Sequence, residues 1–269
     1  MHGAFIWADL STFRLDKTRR FYGDVMGWQF DGDVAFTDAP VASIYTMPEK
    51  FQKIGMPSFW MSYIAVSEAA HAVRQAKALG GKVELGPVAY EQGEIALIRD
   101  PLGAGFTIYS GPPFPPSATG PAARAGHGLF VSDMAAIKPF YEALFGWRFG
   151  VPEMGVSAVS KDGETLFHCH EIPDPALRGK EEYWGVFFAA PDAGVKGRVG
   201  AAGGKVVASM VLPEGPALLA HDPDGGHFFV TDQGIATPTS GSQTKSAGGT
   251  WLWVAFAIVG ALTLRYWGP

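Results

Sequence analysis

The chain has 269 residues, enough for two domains that each bury a core, with 21 basic against 26 acidic residues and a formal net charge of −5. Lysine and arginine are scattered along it, which excludes the basic footprint of a nucleic-acid binder. The single cysteine, Cys169, excludes an internal disulfide framework.

Residues 4–10 read as a first strand, broken at Ser11-Thr12 before a helix that carries Phe21 and Tyr22. Gly27 ends that helix, since glycine readily takes the left-handed conformation of a helix C-terminus, and Trp28-Gln29-Phe30 starts an extended segment. Short strands are expected over 34–37, 41–46 and 51–54, separated by Gly, Asp and Pro. The pattern then restarts with a strand over 59–66, an alanine-rich helix over 68–79 stopped by Gly80-Gly81, and strands over 83–85, 95–98 and 106–109. Residues 1–110 therefore hold two βαβββ units. Proline-rich residues 111–125, with little that could pack, read as a linker. The second half, 126–233, repeats the order: a strand over 129–131, a helix from about Ala135 to Phe145, and strands over 157–159 and 165–170. Pro139 fits that helix if its start is as late as Ala136. Its second unit has a strand over 183–190, a helix between 192 and 202, and strands over 206–211, 218–220 and 228–231.

The halves are copies. Phe21-Tyr22, with Gly27-Trp28 after it, returns as Phe140-Tyr141 with Gly146-Trp147, an offset of 119 residues from Phe21 to Phe140. Gly80-Gly81-Lys82-Val83 returns as Gly203-Gly204-Lys205-Val206 at an offset of 123, and Asp100-Pro101-Leu102-Gly103 as Asp222-Pro223-Asp224-Gly225 at 122. Three collinear anchors mark a duplicated unit. In the second copy Ile137, Phe140, Tyr141, Leu144 and Phe145 form one apolar helical stripe, which must dock on something.

Residues 234–250 are rich in Gly, Ser and Thr and read as a flexible spacer. Residues 251–267 lack a polar face, and with Arg265 able to snorkel and tryptophans at both ends they are expected to form a C-terminal hydrophobic helix that anchors in a membrane. Met1-His2-Gly3 leads straight into the first strand without a secretory pattern, so the two domains are expected in the cytoplasm, tethered to the inner face of the membrane.

Paired βαβββ units with F-Y-x5-G-W after the first helix, and D-P-x-G before an aromatic last strand, resemble the vicinal oxygen chelate superfamily of glyoxalase I, bleomycin-resistance proteins and extradiol dioxygenases. The resemblance spans both halves and implies an α+β fold of four modules in two cups. In metal-dependent members His, Glu or Gln ligands point inward from the first and last strands of the units. The corresponding positions here are Trp7 and Gly126, Ser62 (or Met61 with a one-residue slip) and Val186, and Thr107 and Phe229. None is a good metal ligand, so the resemblance implies a lost site.

Trp7 and Asp9 share a strand face, with Trp60 and Trp184 expected at equivalent places and Thr107 at a last-strand position. Aromatic walls with one carboxylate suit a flat, weakly polar ligand; core packing, with Asp9 capping the Ser11-Thr12 turn, is the plainer alternative. His168 and His170 share a face by alternation and His227 faces the same way as Phe229, a set able to hold a divalent metal or exchange protons, or else a polar pair and a rim histidine. His127 is expected to face the helices as a structural histidine, and Cys169 to be a buried inert thiol. Trp28 and Trp147 read as structural, and the Asp-Pro-x-Gly motifs as turn chemistry.

Three functions follow. The first is a cup protein that binds a small aromatic or apolar molecule with no cofactor. The second is a metal-dependent lyase, isomerase or ring-cleaving dioxygenase using the histidines of the second cup. The third is a membrane-tethered interaction module.

Overall fold

A computed structural model describes residues 1–53, 57–172, 176, 178–180 and 182–231. The first unit runs β1 (Phe5–Thr12), α1 (Leu15–Met26), β2 (Gln29–Asp31), β3 (Val34–Phe36), β4 (Pro40–Thr46) and α2 (Glu49–Lys53). The second runs β5 (Phe59–Ala65), α3 (Ala69–Ala78), β6 (Lys82–Tyr90), β7 (Gly93–Arg99) and β8 (Gly105–Ser110). The third has β9 (Arg124–Val131), α4 (Met134–Phe145), β10 (Arg148–Phe149), β11 (Val156–Lys161) and β12 (Glu164–Glu171). The fourth has β13 (Tyr183–Ala189), α5 (Val195–Ala201), β14 (Lys205–Leu212), β15 (Gly215–His221) and β16 (His227–Thr231).

Two expectations on these elements are corrected. The strand expected over 51–54 is the short helix α2 as far as Lys53, residue 54 lying outside the described part. α4 starts before Ala136: Asp133 accepts a hydrogen bond from Ala136 N and fixes the N-terminus there, which leaves Pro139 inside the helix. Gly27 and Gly146 end α1 and α4 with φ of 75° and 71°, the left-handed caps their positions called for.

Within each half, the first strands of the two units pair antiparallel, β1 with β5 and β9 with β13. The result is two eight-stranded mixed sheets, ordered β2-β3-β4-β1-β5-β8-β7-β6 and β10-β11-β12-β9-β13-β16-β15-β14. Sheets are thus built within halves, but cores are built across them. One core joins α3 residues Ala72, Val73 and Ala76 to α4 residues Ile137, Phe140 and Tyr141; the other joins Phe21, Tyr22 and Val25 of α1 to Val195 and Val199 of α5. The apolar stripe of each helix is covered by the other half, and each sheet turns its second face away from these cores as a cup.

The repeated motifs hold this arrangement together. Trp60 Nε1 donates to Tyr22 Oη at 2.9 Å, and Tyr22 Oη donates to Asp222 Oδ2 at 3.5 Å, crossing from the first half to the second. Reciprocally, Trp184 Nε1 donates to Tyr141 Oη at 3.1 Å, and Tyr141 donates to Asp100 Oδ2 at 3.0 Å. The other oxygen of each aspartate closes its own turn, Asp100 Oδ1 accepting from the backbone of Leu102, Gly103 and Ala104. Trp28 and Trp147 are structural as expected: the Trp28 indole donates to Ala122 O of the connecting segment, and that of Trp147 donates across the halves to Gly3 O.

Candidate ligand-binding site

A bulge in β1 between Phe5 and Trp7 sets what the first cup contains. It sends Phe5 into the core, stacked on His127 at 4.1 Å, and turns Trp7 and Asp9 outward. Across the β1–β5 pair, Trp7 faces Tyr63 and Asp9 faces Met61, while Thr107 lies beside Tyr63 on β8. The walls of the cup are Trp7, Tyr63 and Tyr109. Trp7 Nε1 is anchored on Ser43 Oγ at 3.1 Å, and the Arg124 guanidinium lies 6.0 Å from the Trp7 ring centre.

Asp9 is the polar centre of this cup. Only 3% of it is exposed, its Oδ2 accepts a short hydrogen bond from Tyr63 Oη, and its buried Oδ1 has no hydrogen-bond partner. Burial pushes its carboxyl up to about 7, against the hydrogen bond from Tyr63, which acts the other way. Tyr90, raised to about 12 by burial and then by Asp9, and Tyr45, also raised, lie in the same electrostatic neighbourhood. The site is a neutral-to-anionic carboxyl among phenols and indole, able to accept one proton or one hydrogen bond from a guest.

Trp60 and Trp184 do not line a cup. Each pairs with a leucine of the helix-facing side, Trp60 with Leu10 and Trp184 with Leu129, and each belongs to an inter-half core. The same one-residue phase puts Ser62 and Val186 on the helix side, so the cup faces of β5 and β13 are Met61 and Tyr63, and Gly185 and Phe187. Ser62 Oγ hydrogen-bonds His127 Nδ1 at 2.8 Å; burial holds that histidine well below its ordinary pKa, in the structural role expected of it. Cys169 is buried in a core and its thiol is pushed up by burial, as an inert residue should be.

The second cup is filled. A Cβ on Gly128 would come within 2.9 Å of the Phe187 ring, and one on Gly185 within 2.7 Å of Phe229, so glycine makes room for phenylalanine rings lying flat. Phe187 stacks on Phe229 at 4.5 Å, Phe229 on Phe130 at 5.2 Å, and Phe130 on His170 at 4.7 Å. His168, His170 and His227 do face the cup, but in two groups. His168 Nδ1 meets Glu214 Oε1 at 2.7 Å, with His170 Nε2 at 3.8 Å from the same oxygen. His227 instead sits edge-on to Tyr183 at 4.8 Å and 6.3 Å from His221, and burial lowers its pKa to about 4. Burial pushes the Glu214 carboxyl up, but the hydrogen bond with His168 and the attraction of His168 and His170 together outweigh it and hold it at about 2.

The positions that the resemblance assigns to metal ligands carry Trp7, Gly126, Ser62 or Met61, Val186, Thr107 and Phe229, and no three His, Cys, Asp or Glu among the described residues gather in a metal-holding arrangement. Among the same residues no helix is long and apolar enough to cross a membrane; the run 251–267 lies outside them.

Sequence alone missed Tyr63, Tyr45, Tyr90, Phe114 and Glu214. Tyr63 was reachable, being two residues beyond Met61 on one face of β5. Glu214 lies in the turn between β14 and β15, where no periodicity reports direction.

Residues 5–108 match the profile of the Glyoxalase/Bleomycin resistance protein/Dioxygenase superfamily. Over 273 residues the chain is 32% identical to the anthracycline biosynthesis protein DauV of Streptomyces sp. (strain C5), covering 88% of this chain and 96% of that one. It is 28% identical to the putative glyoxylase CFP32 of Mycobacterium tuberculosis, over 83% and 92% of the two chains. Among solved structures, the Mn(II)-bound glyoxalase from Novosphingobium aromaticivorans superposes with a TM-score of 0.56 at 12% identity, over 85% of this chain and 82% of that one. The halotolerant catechol dioxygenase BphC superposes at 0.57 and 14% identity, with 86% of each chain covered. At such identities the structural likeness concerns the fold alone.

Proposed function

The chain belongs to the glyoxalase/bleomycin resistance protein/dioxygenase superfamily, and on that premise we propose that its first cup binds a small planar aromatic molecule carrying a hydroxyl group, without a resident metal. The observation that carries this reading is Asp9: a buried carboxyl with one oxygen unpartnered and a pKa near 7, set between Trp7, Tyr63 and Tyr109. A buried acceptor without a partner costs free energy that a hydroxyl-bearing guest recovers. Indole and phenol walls favour a flat guest, by stacking. The relative named for anthracycline biosynthesis supports the same class, a hydroxylated arene. The test is calorimetric titration of the full chain with 1-naphthol and a dihydroxyanthraquinone. Trp7→Ala and Asp9→Asn are each expected to weaken binding about tenfold or more. Binding untouched by both changes sinks the reading.

A second reading draws on the same residue. A carboxyl poised near neutral pH is matched to take a proton from a bound phenol or an activated C–H, which would make the cup an acid–base isomerase or lyase. In that case Asp9→Asn abolishes turnover while binding survives. The metal-dependent reading built on His168, His170 and His227 has less support, since the three divide between Glu214 and His221.

A further inference from the structure

The segment joining the halves is more than a connector. Residues 111–117 read Gly-Pro-Pro-Phe-Pro-Pro-Ser, and within them all four prolines are exposed while Phe114 is half-buried. Its ring lies flat on Trp7, with centroids 5.6 Å apart and planes 11° off parallel, and meets Tyr109 at 4.8 Å. Trp7 and Tyr109 are walls of the first cup. A phenyl group therefore already occupies the place where a stacked guest would lie.

We propose that Phe114 holds the ring subsite of the first cup, so that the strap 111–117 must swing out for a ligand to enter and only an aromatic ring replaces what it leaves. This rests on the first-cup reading above and makes Phe114 the residue that sets the affinity a guest needs to enter.

Three features carry it. First, the strap is pinned at its ends: Tyr109 Oη donates to Pro112 O at 3.0 Å, Arg124 Nη2 to Ser117 Oγ at 3.4 Å, and Ala118 N to Pro40 O at 2.8 Å. Between the pins, prolines have no N–H to donate, so the backbone has few means to fasten itself to the cup and the ring of Phe114 is its main hold. Second, a cavity of about 250 Å3 separates the start of the strap, at Gly111, Pro112 and Pro113, from Met1, His2 and Ser67, open space into which the strap can move. Third, Asp9 is two residues along β1 from Trp7, about 7 Å on the same face. A two-ring arene stacked on Trp7 therefore spans the distance to the unpartnered Asp9 Oδ1. A saturated molecule of the same outline would lose the stacking geometry that the Phe114 ring enjoys, and so would not repay its displacement.

The experiment titrates the full chain, parent and Phe114→Ala, with 1-naphthol and with its saturated counterpart decahydro-1-naphthol. Removing the competing ring is expected to tighten both ligands by the same factor, about tenfold, the worth of two aromatic contacts, since the cost of displacing Phe114 is common to both, with 1-naphthol the tighter ligand of parent and variant alike. A second measurement places 4-fluorophenylalanine at position 114; its 19F resonance is expected to move on addition of 1-naphthol as the ring leaves the face of Trp7. Equal or weaker naphthol binding by Phe114→Ala, alongside a loss of binding in Trp7→Ala, overturns the strap while leaving the cup as the site. Equal affinities for 1-naphthol and decahydro-1-naphthol in the parent overturn the selectivity for arenes. A failure of 1-naphthol to bind parent and variant alike, with the fluorine signal unmoved, overturns the first-cup reading and this inference together.

Discussion

Asp9 and Glu214 are both buried carboxyls, and their surroundings drive them in opposite directions. Asp9 is raised to about 7 by burial with one phenol as partner; Glu214, held by two histidines, falls to about 2. The consequences for stability have opposite signs. Between its ordinary value of 3.8 and about 7, Asp9 holds a proton in the folded chain that it lacks in the unfolded one. Its contribution is therefore whole below pH 4 and lost as pH rises through 7. Glu214 contributes above its ordinary 4.5, and that contribution is lost as pH falls through 2. Asp100 and Asp222 are raised by burial as well, to about 6 and about 7, so the slope of the parent alone would not isolate Asp9. The difference between parent and Asp9→Asn does. Urea unfolding at pH 4.5, 5.5, 6.5 and 7.5 is expected to show the parent losing ground to the variant by up to about 1.4 kcal/mol per pH unit, levelling near pH 7. A constant difference across that range would mean that Asp9 ionises normally in the fold.

At the same scale, alternation along a strand made Trp7, Asp9, His168, His170 and His127 legible, because side chains change face at every residue. It failed at Trp60, Trp184, Ser62 and Val186 through a one-residue phase error, which reverses every side chain of a strand. It had no purchase on Phe114 or Glu214, which sit in a proline run and a turn.

Among elements, the duplicated motifs were visible as sequence, but their purpose was not. Asp-Pro-x-Gly read as a turn, and one carboxylate oxygen does close that turn; the other accepts from a tyrosine of the opposite half. Nothing in chain order says that the aspartate after β7 belongs with the tyrosine of α4, since the contact is made only when four helices stack between two sheets. Each Trp–Tyr–Asp relay is buried, so Tyr22→Phe strands the Trp60 N–H and one oxygen of Asp222 at once. The expected cost is about 1–3 kcal/mol in urea unfolding, with Tyr141→Phe behaving alike in the other core. Because the relays lie in separate cores, the double variant should lose close to the sum of the two. Single changes below about 0.3 kcal/mol would show the relays to be ornamental.

For the molecule as a whole, the apolar helix stripes promised a covering surface without saying whose. The cover proves reciprocal: α1 packs with α5 and α3 with α4, and the buried rings of Phe21 and Phe228 in one core, and of Phe106 and Phe140 in the other, come from different halves. Without its partner, the first half loses the cover over two helices and their sheet, baring Phe21, Tyr22, Val25, Ala72, Val73 and Phe106 among others. At about 1.5–3 kcal/mol for each large apolar side chain returned to water, that exposure is comparable with the whole 5–15 kcal/mol by which domains of this size are usually stable. The full chain should therefore melt in one cooperative step, both sheets together. A fragment of residues 1–119 should fail to fold as a monomer, being unfolded or self-associated by light scattering. Mixing it with 120–233 should restore a cooperative melt, because the missing partner of each helix is then supplied in trans. A monomeric 1–119 that melts at the temperature of the parent would show that each half carries a sufficient core of its own, and that the duplication joined two finished domains.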